Sequence, residues 1–157
     1  MNNWLRKNPQ VRALRMAAAD LNGQPRGKRV PVRFADKALT EGTRFPFSVL
    51  NLDIWGEDID NSPLVLESGD RDGVLKPTER GFMPVPWLDT PTALLPIWMY
   101  HDDGRPFAGD PRHALRAVLD RYTARGLTPV CAVELEFFLI DDSGRNLQVP
   151  PSPRSGK

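Results

Sequence analysis

Cysteine is almost absent from this 157-residue chain. With Cys131 alone, no internal disulfide can form. Only two histidines, His101 and His113, accompany it, and no Cys/His set has the spacing of a zinc site. Long apolar runs are missing too, so no segment reaches the ~20 residues of a membrane-spanning helix. The first residues, MNNWLRKNPQVR, lack the apolar centre of a secretion signal. Neither sign of charge is in excess: the formal net charge is +1, which argues against a dedicated binder of nucleic acid or of anionic membranes. There is no internal repeat and no glycine-rich phosphate loop. These absences predict a soluble, cytoplasmic chain with no nucleic-acid or membrane partner.

Hydrophobic residues make up 40% of the chain, enough for a core. The pattern predicts an α+β fold with a helix on a mixed sheet. Val11 to Leu21 and Arg26 to Val30 flank Asn22-Gly23, a turn dipeptide, and read as a hairpin. Pro31 to Leu39 has helical spacing and is stopped by Gly42. Residues 45–56 read as a strand running into a loop. Residues 61–77 read as a short apolar strand followed by an acidic turn, and 90–104 as a strand ended by Asp102-Asp103-Gly104. Asp110 is an N-cap with Pro111 at the first helical position, and Gly126 closes that helix. Leu115, Val118, Leu119 and Tyr122 form its apolar stripe. A final strand, VCAVELEFFL at 130–139, follows, turned around by Asp142-Ser143-Gly144. Trp87, Trp98 and Cys131 are expected in the core, and His113 on the surface. Asp70 and Asp72 lack the full spacing of a calcium loop and read as a turn.

The final strand poses the main chemical question. Residues two apart on a strand share a face, so Glu134 and Glu136 project together. Burying two adjacent carboxylates without partners costs several kcal/mol. Such a pair is therefore open to water, bridged to Lys or Arg, or neutralised by a hard divalent ion such as Mg²⁺ or Mn²⁺. The spacing alone leaves these three open.

The surroundings narrow the choice. ELEFFL, together with GDPR opening the preceding helix, DLNGQPRGKRVP at 20–31 and ESGDRDGVLKP at 67–77, resembles the glutamine synthetase family over roughly residues 10–145. The resemblance implies a β-grasp-like N-terminal domain over 10–104, then the first helix and strand of a catalytic domain over 105–145. The proline-rich remainder, 146–157, reads as a flexible tail. It implies an ATP-dependent carbon–nitrogen ligase that activates glutamate as γ-glutamyl phosphate and couples it to ammonia or another amine. It further implies a ring-like homo-oligomer. Carried onto this chain, Glu134 ligates the nucleotide-associated Mg²⁺ or Mn²⁺, and Glu136 the ion nearer the acyl acceptor. The family's remaining ligands have no counterpart here, so the chain is expected to be the front part of a longer enzyme, inactive by itself.

One departure bears on the amine. Family members carry an Asp-Gly-Ser-Ser loop whose aspartate helps bind ammonium in a neighbouring subunit's site. The matching stretch is NLDIWGED, with Asp53 as the counterpart and Ile54 and Trp55 in place of the small residues. An acid beside an indole suits a larger cationic amine, so the chain resembles γ-glutamylpolyamine synthetase-type members. The plainer alternative makes Asp53 a turn cap and Trp55 a buried strand end. A stand-alone β-grasp interaction module without catalysis is the reading from a different class.

Overall fold

The computed structural model describes residues 2–67, 69–144, 146 and 148–150. Two compact units divide the chain, Met1–Leu127 and Thr128–Lys157.

In the first unit the elements run α1 (Asn3–Lys7), β1 (Ala13–Ala19), β2 (Pro25–Pro31), α2 (Ala35–Thr40), β3 (Thr43–Pro46), β4 (Asp72–Pro77), β5 (Met83–Val85), β6 (Thr92–Tyr100) and α3 (Pro111–Thr123). The strands form one mixed sheet in the order β2-β1-β6-β4-β3, with β5 also pairing β6. β1 and β6 are parallel, in the register Leu14↔Ala93; the other ladders are antiparallel. Residues two apart on the two central strands define the core face. Leu14, Met16 and Ala18 from β1 and Ala93, Leu95, Ile97 and Met99 from β6 are all buried, and each is two residues from the next. Ala35 and Ala38 of α2, Phe47, Leu50 and Leu75 pack against this row. At ~1.5–3 kcal/mol per large buried side chain, the row is the main source of stability. The outer strands approach each other closely enough for Lys28 Nζ on β2 to donate to the Arg44 carbonyl on β3 at 2.7 Å. The sheet is thus strongly curled, as right-handed strand twist favours.

The hairpin, the α2 helix, the β6 strand and the α3 helix lie where the sequence places them. Asp110 caps α3 through Oδ1, 2.9 Å from the Arg112 amide, while its Oδ2 accepts from the Met99 amide at 2.9 Å and ties the helix to β6. Gly126 has φ +70°, the left-handed conformation that ends a helix.

Other expectations are corrected. The strand expected over 45–56 stops at Pro46, and Phe47–Leu50 turn into a 3₁₀ segment that buries Phe47 and Leu50. In 61–77 the order is reversed: residues 63–67 are turn, and the strand is Asp72–Pro77, after the acidic turn. Trp87 is 74% exposed and Cys131 is exposed. His113 is largely buried. Its ring packs against Trp98 and Tyr100 at 4.7 and 4.8 Å. Its Nε2 lies 2.9 Å from the Met99 carbonyl oxygen, which requires the proton on Nε2.

The second unit departs most. Residues 128–140 form neither strand nor helix, so the expected catalytic-domain strand is absent among the described residues. A strand exists only through a ladder partner, and none of the described residues pairs with this segment. The turn at 142–144 does form: Asp141 Oδ1 accepts from the Ser143 amide at 2.9 Å, and Asp141 bridges Gln148. Most of the expected flexible tail lies outside the described residues.

Candidate functional site

Asp53 sits in a short hairpin-like loop that leaves the 3₁₀ segment. Leu52 and Asp58 form an antiparallel bridge at its base, and the Asp53 amide donates to the Glu57 carbonyl at 2.9 Å. Asp53 Oδ1 accepts from the amides of Trp55 and Glu57, both at 2.9 Å. That is the behaviour expected of an aspartate that closes its own turn. Its Oδ2 takes no hydrogen bond among the described residues. The capping role and an external role are therefore compatible: the turn occupies one oxygen of the half-buried carboxylate and leaves the second without a partner among the described residues. Trp55 is 85% exposed and Ile54 is also exposed, so the alternative of a buried strand end is corrected for Trp55. The loop presents an acid, an indole and an aliphatic side chain side by side.

The loop rests on the β1–β2 turn. Asp20, at the end of β1, is fully buried and accepts from the amides of Asn22 and Gln24, both at 2.8 Å, and from Arg26 Nε at 2.8 Å. Burial pushes the Asp20 carboxyl up, yet the bonds from Arg26, Gln24 and Asn22 outweigh it and hold its pKa below the usual 3.8. Asn22 Nδ2 donates to the Leu52 carbonyl at 2.9 Å, and the Leu21 amide donates to the Leu50 carbonyl at 3.2 Å. The Arg-Gly-Lys stretch thus has three separate tasks. Arg26 neutralises Asp20. Gly27 lets β1 approach, since a Cβ there would meet the Met16 carbonyl oxygen at 1.7 Å. Lys28 spans to β3. None of Asp20, Asn22 and Arg26 stands out as functional from the sequence; an aspartate opening an Asn-Gly turn with an arginine six residues on is the signal that points to them.

Glu134 and Glu136 lie in the second unit, both exposed, within the stretch that has no ladder. No sheet therefore fixes a common face for them. Carboxylates are the right donors for a hard divalent ion, but such ions take six or more oxygens. Among the described residues no three His, Cys, Asp or Glu side chains converge as a metal-ligand set. The pair fits as contributors to a shell and not as a site on its own.

Comparison with known proteins relates the chain as a whole to one enzyme family. Residues 108–155 match the family model of the glutamine synthetase catalytic domain. The chain is 36% identical over 163 residues to gamma-glutamylputrescine synthetase PuuA of Escherichia coli (strain K12), covering 98% of this chain and 33% of that protein. It is 29% identical to the glutamate–isopropylamine ligase of a Pseudomonas species, covering 85% of this chain and 29% of that protein. A solved structure, the GmaS/ADP complex, superposes with a TM-score of 0.60 at 25% identity, covering 78% of this chain and 25% of that one. The chain spans about a third of the length of the curated relatives it matches. In sequence along nearly all of its length, and in fold along most of it, the chain is similar to members of the glutamine synthetase family.

Proposed function

We propose that this chain is the front part of an ATP-dependent glutamate–amine ligase whose amine is larger than ammonia. The observation that carries this reading is the 52–58 loop, where a pinned carboxylate stands beside an exposed indole. A cationic amine gains from both, through charge and through the aromatic face. The names of two relatives support it, a gamma-glutamylputrescine synthetase and a glutamate–isopropylamine ligase, while others are glutamine synthetases. The sheet order, with parallel β1 and β6 at its centre and α2 against the core, supports a β-grasp-like N-terminal domain. In this reading 10–104 form that domain and 105–145 begin a catalytic domain. The longer protein assembles as a ring-like homo-oligomer in which the loop serves a neighbouring subunit's site.

Within that enzyme Glu134 and Glu136 each contribute an oxygen ligand to a divalent ion, Mg²⁺ or Mn²⁺. Such ions supply charge neutralisation to a phosphoryl transfer from ATP. The part played by Asp53 is separate: its carboxylate draws the protonated amine in and accepts its proton before attack.

Asp53→Asn tests this in the longer protein. The amide keeps an oxygen for the Trp55 and Glu57 amides but loses the charge. Turnover with diamines should fall by about 10²-fold or more, while glutamate-dependent acyl-phosphate formation stays within about two-fold. Steady-state kinetics with ammonium, putrescine and a longer polyamine is the measurement. Unchanged kinetics for every amine would reduce Asp53 to a turn cap.

A further inference from the structure

We infer that Asp20, Asn22 and Arg26 are positioning residues that set the conformation of the 52–58 loop. The inference rests on the amine-binding reading of that loop only for its catalytic consequence; the geometry stands alone. Three contacts converge. Asn22 Nδ2 holds the Leu52 carbonyl at 2.9 Å, at the base of the loop. The Leu21 amide holds the Leu50 carbonyl at 3.2 Å, one turn earlier. The Arg26 guanidinium lies over the far end: a Cβ at Gly56 would sit 3.0 Å from its Nη1 and 3.4 Å from its Nη2.

Gly56 meets two demands at once. Its φ of +89° belongs to the conformation that side chains resist, and its bare Cα leaves room for the guanidinium. Arg26 is in turn held by a fully buried carboxylate, at 2.8 Å through Nε, so its free nitrogens are aimed and not swinging. Asp20 is fixed independently by the two turn amides. The order of dependence runs from the hairpin turn to Asp20, from Asp20 to Arg26, and from Arg26 and Asn22 to the loop. A loop with exposed Ile54 and Trp55 at its tip has no core packing of its own to hold it. The hairpin turn supplies that constraint from outside.

Amide hydrogen exchange on this chain, read residue by residue by NMR, tests the inference. In Arg26→Gln and, separately, in Asn22→Ala, the Trp55 and Glu57 amides should exchange faster by about ten-fold or more, as expected for a local opening. Leu95, Ile97 and Met99 on β6 should stay within about two-fold of the parent. Asn22→Ala removes only an exposed side chain's bond, so it keeps the fold even if Arg26→Gln does not. Arg26→Lys, which keeps the charge but not the planar fork, should restore part of the protection. Loop amides unchanged in both variants, or rising only in step with β6, would overturn the inference. A parallel arm measures the amine KM of the same variants in the longer protein, where a raised KM at a preserved KM for glutamate is expected. Loosened loop amides with an unaltered amine KM would uphold the positioning role and refute the amine role of the loop.

Discussion

Asp20 shows how much one side chain can organise. It is fully buried, ionised and met by three donors within 2.8 Å. Its folded pKa lies below the ordinary 3.8. As pH falls, the unfolded carboxyl takes up its proton first, so the folded state loses stability as pH drops through the depressed folded value. Above about pH 5 the contribution is complete. Chemical unfolding of the parent and of Asp20→Asn should therefore diverge at neutral pH, by about 1–3 kcal/mol, and converge as pH falls through the depressed folded value. Parallel curves across that range would assign the acid sensitivity to other carboxylates. A second residue, His113, shows the opposite lesson. Near the start of a helix, among arginines, it reads as a surface side chain. Only the fold brings Trp98 and Tyr100 of β6 against it.

At the scale of the elements, what was legible followed from local chemistry. The two-residue alternation on β1 and β6 and the turn dipeptide at 22–23 each specify their own geometry. So does the Asp-Pro start of α3. The strand β5 is only three residues long, Met83–Val85, too short for any period to show. In 61–77 the apolar Leu64-Val65-Leu66 looked more strand-like than Asp72-Gly73-Val74. Gly73 is nonetheless needed in β4, because a Cβ there would meet Phe47 at 2.7 Å and Met99 at 2.9 Å. Residues 130–140 are the informative failure. Their composition is that of a buried strand, yet Val130 and Phe138 are more than 90% exposed, and Leu135 and Phe137 are open as well. A strand-forming apolar stretch without a ladder is a template for pairing with another chain. The apparent mass of this chain in sedimentation should therefore rise with concentration, and Leu135→Lys with Phe137→Lys should suppress the rise. A monodisperse parent at every concentration would show that the stretch is covered in solution.

The chain has two units of different character, a well-packed curled sheet and a much shorter unit whose glutamates meet no third ligand among the described residues. The candidates Asp53, Glu134 and Glu136 come from the resemblance of their surrounding motifs to a family, since their residue types and spacing leave other roles open. The support of the Asp53 loop was not legible, because the Asp20–Arg26 pair and the Asn22 contact depend on which loops the fold brings together. Because Glu134 and Glu136 converge with no third ligand among the described residues, Mn²⁺ titration by calorimetry should show weak binding to this chain, on the order of millimolar. Tight stoichiometric binding would mean that other oxygens complete the shell. The parallel pairing of β1 with β6 has one more effect, a mechanical one. Pulling apart the start of β1 and the end of β6 loads every bond of that ladder at once, in shear. Pulling at Ala13 and Pro31, neighbours across the open end of the β1–β2 hairpin, peels the bonds one after another. The same sheet should thus resist stretching along the direction of its central strands and yield readily at its edge.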